Sequence, residues 1–327
     1  MTPVYFVIPE TQRKKWPAQL HEAALGQYSV DEIAAFFTAG VDVHILQTWL
    51  LLKEREREFS FHLVSHAVKD EICVFHYDNA KPRHGLLDCF SIVVRADRPP
   101  VPYADIVLEQ NPLASGAAWH MPHWVQPGLI PRDESRADRL ERIALVGSRQ
   151  YQPSWVFESA FLKRMSDLGI ELTLMDAGNW CDYSRIDAIV ALRPGLSLRV
   201  LQTKPASKLI NAWAAGTPAL LGVEPAYQAL RSHPLDYLEI TGPESLLCNL
   251  RRIKQTPGLY AALRQRCALR APEGDRARVC ARWLDLFTHA AEMKKRNAPH
   301  CRARKMVLYT GGRLHTAFLK RSGLWKD

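Results

Sequence analysis

Three features of this 327-residue sequence predict an α/β fold built on two doubly wound parallel sheets. Short apolar runs are nearly continuous rather than alternating, as in strands covered on both faces. Stretches with helical start and stop signals lie between those runs, the rhythm of β-α units. A segment rich in Pro and charge, HMPHWVQPGLIPRDESRADRLER (120–142), interrupts the rhythm, which then restarts. The boundaries predicted are an N-terminal domain over 1–125, a linker over 126–141, a C-terminal domain over 142–296 and a basic tail over 297–327. Two such domains joined by a proline linker form a cleft between sheet edges.

In the first half, VYFVIP (4–9) reads as a short buried strand. SVDEIAAFFTAG (29–40) has a Ser cap, early acids and a terminal Gly, and reads as a helix. VDVHILQ (41–47), FSFHLVS (59–65), EICVFHY (71–77), FSIVVRA (90–96) and DIVLEQ (105–110) read as β-rich runs. WLLLKEREREF (49–59) reads as a helix with a solvated charged face. In the second half the expected order is strand 142–147, helix 153–169, strand 170–176, strand 186–192, helix 207–216, strand 218–222, helix 224–232 and strand 236–240. Three further helical stretches run to about residue 296.

Charge and cysteine content narrow the function. The formal net charge is +9, yet from Lys294 onward there are ten Lys/Arg and one acid, Asp327, leaving 33 basic and 33 acidic residues before it. A nucleic-acid binder carries its basic patch on the folded body, so no nucleic acid partner is expected. A tail-only excess points to an anionic surface or an acidic partner. The seven cysteines are scattered, with no C-x-x-C pair, so a reducing cytoplasm without zinc or a disulfide framework is expected. His62 with His66, and His120 with His123, have no third ligand near in sequence, and no metal is expected. There is no secretory h-region and no run of about eighteen uncharged apolar residues, so no membrane span is expected.

Ligands of open parallel sheets bind beyond the carboxyl ends of the strands. In the first half those ends offer Glu10, His76, Asp78, Asn79, Arg95, Asp97, Gln110 and Asn111. In the second they offer Gly147, Ser148, Arg149, Asp176, Arg193 and the loop Lys204 to Lys208. The second set has the cations that a phosphate-bearing donor needs, and the first has carboxylates and histidines for an acceptor. KPASKLINAWAAGTPALLG (204–222) concentrates the signal. Pro205 suits a helix start, so Ser207 and Lys208 fall where free N–H groups and the dipole favour an anion. Lys204 or Lys208 adds a point charge, Gly216 ends the helix, and Thr217 stands within reach of the same ligand. The plainer alternative is a basic first turn on a core helix, with Leu209 and Trp213 as packing.

These residues resemble a family. KPASKLINAWAAGTPALLGVEPAYQAL (204–230) is similar to the donor-binding half of GT-B glycosyltransferases, which often show P-S-K-x-x-(E/N)-A/Y-x-A-x-G-x-P. HMPHWVQPGLIPRD (120–133) and NWCDYSRIDAIVALRP (179–194) resemble the interdomain linker and upstream strand of a bacterial subgroup. The resemblance covers about 120–290 and reaches the N-terminal half by architecture alone. It implies two Rossmann-like domains facing each other across a cleft, a nucleotide-sugar donor on the C-terminal one and an acceptor on the N-terminal one. The sequence departs from the retaining pattern of two glutamates eight positions apart: Thr203 stands at the first and Asn211 at the second. Asn supplies one acceptor and one donor group where Glu accepts from two ribose hydroxyls, so neither nucleotide nor stereochemical outcome is specified. Glu224 is a further candidate for ribose or sugar hydroxyls, or the first-turn acid of a helix.

The expectation is a glycosyltransferase that moves a sugar from a nucleotide-sugar to a saccharide or lipid-linked acceptor in bacterial envelope polysaccharide or lipopolysaccharide assembly. Gly147, Ser148, Arg149, Arg193, Lys204, Ser207, Lys208, Asn211, Thr217 and Glu224 are the expected donor contacts, with Arg149 and Lys208 foremost on phosphate. If the reaction inverts, Asp78, then His76, is the base for the acceptor hydroxyl. No cofactor is needed, since the nucleotide-sugar is a co-substrate. Two other classes stay open: a nucleotide-sugar epimerase or hydrolase, and a non-catalytic protein that binds anionic surfaces. The tail interleaves its charges with Met306, Val307, Leu308, Leu314, Phe318, Leu324 and Trp325. It either contacts the inner face of the cytoplasmic membrane or packs back on the first domain, and Gly311 and Gly312 argue against one continuous helix.

Overall fold

The computed structural model describes residues 1–16, 20, 25–37, 39–55, 58–113, 118–176, 179–296 and 302–323. The chain forms two compact units, Met1–Pro122 with Thr203–Pro205 and Val279–Asp327, and His123–Gln202 with Ala206–Arg278.

Unit 1 is built on six strands, β1 Thr2–Val7, β2 Phe59–Val64, β3 Ile72–His76, β4 Phe90–Val94, β5 Ile106–Glu109 and β6 Trp119–His120. Their order is β2-β1-β3-β4-β5-β6, and every neighbour pair is parallel. The central strand β3 is buried along its whole length, as its unbroken apolar run requires. A short helix, α1 Glu10–Arg13, follows β1.

Two expected elements of this unit are not formed. Over 29–40 the Ser cap is real, because Glu32 accepts from the Ser29 N–H and hydroxyl at 2.7 Å each. The chain then makes only a turn and the 3-10 segment Ala34–Phe36, not a continuing helix. Val30, Ile33 and Phe37 are each buried there, so burial of these three sets the path; residue 38 lies outside the described residues. The expected strand over 41–47 is instead a π-helical turn, Asp42–Leu46, running into α2 Gln47–Lys53. Asp42 accepts from the Ala39 N–H at 2.9 Å and from Trp16 Nε1 at 3.2 Å, which fixes a helix start. A parallel β1–β2 pair also needs a crossover between its strands, and α2 provides it, so topology overrides the β-branched composition. The helix expected over 49–59 is formed as far as Lys53; residues 56 and 57 lie outside the described residues.

Unit 2 has five strands, β7 Arg142–Val146, β8 Glu171–Met175, β9 Ala188–Ala191, β10 Ala219–Gly222 and β11 Leu238–Ile240. They run β11-β10-β9-β7-β8, again all parallel. The helices are α3 Ser159–Asp167, α4 Leu198–Leu201, α5 Ser207–Ala214, α6 Pro225–Leu230, α7 Pro243–Gln255 and α8 Leu259–Arg270. One apolar layer joins Ile143, Leu145 and Val190 to Phe161, Leu246 and Leu263; the other joins Ile189 and Leu221 to Leu209, Trp213 and Tyr227. The segment read as a linker is part of this unit. Arg132 and Arg136 both bond the wholly buried Asp187, which also accepts the N–H groups of Glu141 and Arg142 at 2.9 Å each.

The chain then returns to unit 1. From Val279 on, α9 Arg276–Arg296 belongs to unit 1, although the sequence rhythm extends the second half to 296. Its Trp283 and Phe287 pack on Phe6, with ring centroids 6.3 and 6.1 Å away. The tail helix α10 Arg302–Arg321 also packs on unit 1 and runs unbroken through Gly311 and Gly312. Gly312 allows a close approach, since a Cβ there would stand only 3.1 Å from Pro102. Lys305 is buried on this face, donating to Cys89 O at 2.7 Å and pairing with Asp105. Leu324 and Trp325 lie outside the described residues.

Candidate functional site

In both sheets one strand order reversal marks where loops diverge and a crevice opens at the carboxyl ends. In unit 2 it falls between β7 and β9, and in unit 1 between β1 and β3.

At the unit 2 crevice, Gly147 follows β7 with φ +121, a conformation that glycine adopts without strain. A Cβ on it would lie 3.2 Å from Gln152 Nε2 and 3.8 Å from Lys208 Nζ. The ammonium of Lys208, in the first turn of α5, therefore lies over the backbone of the β7 turn. Gln152 braces that turn by donating to Gly147 O at 3.0 Å. Ser148 and Arg149 are exposed just beyond, and the Arg149 guanidinium stands 3.9 Å from the Phe157 ring centre. Ser207 opens α5, whose preceding residue, Ala206, offers no side-chain cap to the first-turn N–H groups. Gly147, Ser148, Arg149, Ser207 and Lys208 thus gather at one end of one sheet, a set suited to an anion.

Beside them, a cavity of about 260 Å³ lies beyond β9, β10 and β11, lined among others by Trp155, Leu192, Arg193, Glu224 and Thr241. Arg193 donates to Glu224 Oε2. Glu224 is only 2% exposed, and its Oε1 has no hydrogen-bond partner among the described residues. Burial opposes the charge on Arg193, but Tyr227 and Glu224 outweigh that and hold its pKa above the usual arginine value. A buried carboxylate with one oxygen held by a guanidinium and the other unsatisfied is chemically suited to accept from a hydroxyl.

Four expected donor contacts are placed otherwise. Arg193 pairs with the Glu224 carboxylate. Asn211 is spent within the unit: its Oδ1 accepts the Gln126 N–H at 3.0 Å and its Nδ2 donates to Gln126 Oε1 at 3.1 Å. Thr217 is wholly buried, its hydroxyl 3.5 Å from Ala215 O. Lys204 groups with unit 1, where it bonds Asp97 at 2.6 Å and accepts from Asn111 through its carbonyl at 3.4 Å. Burial disfavours the Asp97 charge, yet Lys204 more than compensates and holds that carboxyl below its ordinary pKa.

At the unit 1 crevice, His76 ends β3 and is 2% exposed. Its ring lies 5.8 Å from that of His44, and a Cβ on Gly40 would be 3.3 Å from its Nε2. Burial pushes its pKa down to about 4, against the opposing pull of Asp78. Its Nδ1 accepts the Asp78 N–H at 3.3 Å, so the neutral ring orients the Asp78 turn. Asp78 itself is accessible, with its carboxylate 3.0 Å from Arg98.

Sequence reasoning missed Gln152, Trp155 and Tyr227. Tyr227 carried a signal, since it lies one helical turn beyond Glu224 in EPAYQAL. Gln152 and Trp155 carried none, because only the fold of the 3-10 segments after β7 brings them inward.

No family model matches the sequence, and no curated protein sequence matches it. Among solved structures, AviGT4, a glycosyltransferase involved in Avilamycin A biosynthesis, is similar over 89% of this chain and 98% of its own, with a TM-score of 0.53 and 12% identity. A Thermobaculum terrenum O-GlcNAc transferase mutant is matched over 90% of this chain and 68% of its own, at TM-score 0.46 and 12% identity. Accessory secretory proteins 1, 2 and 3 of Streptococcus pneumoniae are matched over 71% of this chain, which spans 55% of that chain's length, at TM-score 0.42 and 9% identity. Of the three, the AviGT4 likeness bears on the fold. The chain shares the fold of AviGT4, with two Rossmann-like units, each on its own parallel sheet.

Proposed function

We propose that the chain transfers a sugar from a nucleotide-sugar, bound by unit 2, to a saccharide or lipid-linked acceptor. The observation that carries this is the Lys208 ammonium over the Gly147 turn, at the strand-order reversal of the unit 2 sheet. Lys208, Arg149 and the N-terminal turn of α5 neutralise the leaving phosphate as its charge develops. Glu224, lining the adjoining cavity, accepts from a ribose or sugar hydroxyl. Asp78 deprotonates the acceptor hydroxyl, with His76 holding its backbone. The setting proposed is bacterial envelope polysaccharide or lipopolysaccharide assembly in the cytoplasm, the chain resting peripherally on the inner face of the membrane through its basic tail. No helix among the described residues is long and apolar enough to cross a membrane.

Lys208→Ala and Arg149→Ala are each expected to weaken nucleoside diphosphate binding by roughly 1–3 kcal/mol, the scale of hydrogen bonds to charged groups. Calorimetry with UDP, GDP, ADP and CMP checks this and identifies the base. Unchanged affinity in a folded double variant removes the phosphate assignment.

Asp78→Asn is expected to reduce turnover by about 10²–10⁴-fold, the usual contribution of a general base, while nucleotide affinity stays within twofold of about the wild-type value. Wild-type turnover in that variant excludes Asp78 as the base. Incubation with donor alone separates transfer from the epimerase or hydrolase alternative, because a transferase leaves the donor largely intact without acceptor.

A further inference from the structure

The two faces of α10 differ in kind. Lys305, Gly312, Thr316 and Leu319 are buried against unit 1, at spacings of seven, four and three residues that keep them on one side of the helix. On the opposite side Val307 is 70%, Leu314 68% and Phe318 62% exposed. These three recur at seven and four residues and form one outward apolar ridge. Arg304, Arg313, Lys320 and Arg321 are exposed around it. Between Glu292 and Asp327 the sequence has no acidic residue.

The ridge is held outward by the packing of the other face. Lys305 is bonded to Asp105 and to Cys89 O in the interior, and Gly312 lies against Pro102. Rotating α10 to bury Phe318 would pull the Lys305 ammonium from its carboxylate and bring larger side chains to the close contact that Gly312 makes with Pro102. An apolar ridge ringed by cations, lacking acids and locked away from the core, has the pattern of a helix that lies in a membrane interface. Its charge complements an anionic surface.

We infer that α10 docks this protein on an anionic lipid bilayer, with Val307, Leu314 and Phe318 entering the headgroup boundary and Arg304, Arg313, Lys320 and Arg321 meeting lipid phosphates. The inference specifies the surface contact of the proposed function and does not depend on sugar transfer.

The test is co-sedimentation of the full chain with vesicles of phosphatidylcholine alone or with one-third phosphatidylglycerol, at low and high salt. The wild type is expected to bind the anionic vesicles at least tenfold better than the neutral ones, with the difference lost at high salt. Leu314→Glu with Phe318→Glu is expected to abolish sedimentation while leaving thermal unfolding and nucleotide binding unchanged, since both positions are exposed. Arg313→Ser with Lys320→Ser keeps the ridge and is expected to lose most of the anionic preference. Equal sedimentation of wild type and ridge variant overturns the inference, as does equal binding to neutral vesicles or none to either. A wild-type dimer in light scattering that becomes monomeric in the ridge variant also overturns it, by showing a second copy as the occupant. Nucleotide binding measured on the same samples keeps this outcome separate from that of the donor site.

Discussion

Asp187→Ala is expected to lower the stability of unit 2 by about 3–5 kcal/mol, the cost of removing one partner from a buried ion pair. Asp187 has no exposed surface and meets Arg132 at 2.9 Å and Arg136 at 2.7 Å. The variant leaves two guanidinium groups facing an emptied site and frees the N–H groups of Glu141 and Arg142 at the start of β7. Asp187→Asn keeps an acceptor but no charge and should fall between the two. Burial raises the Asp187 pKa, but its bonds to Arg136 and the two backbone groups outweigh this and hold it below the ordinary aspartate value. A depressed carboxylate stabilises the fold above its unfolded pKa, and that contribution is lost as pH falls through the folded one. Acid below about pH 4 should therefore destabilise the wild type more than Asp187→Ala. Denaturant titration of both at neutral and acid pH measures this; a loss under about 1 kcal/mol would show that the cluster is solvated rather than buried.

Unit 1 has an expected pH response of its own, of roughly 3 kcal/mol. His76 is pushed from an ordinary 6.5 down to about 4 by burial. Between those values the unfolded chain binds a proton that the folded chain refuses. Stability is thus complete above about pH 6.5, declines as pH falls toward 4 and changes no further below it on this account, at about 1.4 kcal/mol per pKa unit. His76→Gln, which keeps a polar group near the Asp78 N–H, should unfold with a much flatter dependence over that window. An unchanged slope would falsify His76 as the titrating group. The same variant tests the orienting role, since Asp78 would keep its carboxylate but lose the ring that fixes its turn.

Strand runs were legible because the physics behind them is local. An unbroken apolar run such as ICVFH or AIVA fits a strand covered on both faces, and those residues are buried throughout β3 and β9. α5 was equally legible, marked by Pro205 before it and Gly216 after it. The path over 29–47 was not, because it is set by a crossover that joins strands 57 residues apart in register. Side-chain fates were least legible where partners are distant in the chain. Asn211 reads as a ligand until Gln126 is seen to take both halves of its amide. Lys204 and Lys208 are alike in sequence, yet one is neutralised by Asp97 and the other lies over the Gly147 turn. The arginines around 132–136 read as linker charge, and no periodicity announces that Asp187 buries them.

The discontinuity of unit 1 has a consequence for synthesis. Its N-terminal strands are made before unit 2, but Phe6, Phe59 and Phe61 pack on Trp283 and Phe287, which are made after it. Unit 2 is complete by Arg278 and is therefore able to close earlier. The usual order, in which the first domain made is the first to fold, is thus reversed. Until α9 arrives, the nascent chain presents an uncovered aromatic sheet face, the kind of surface that chaperones hold and that truncated products aggregate through.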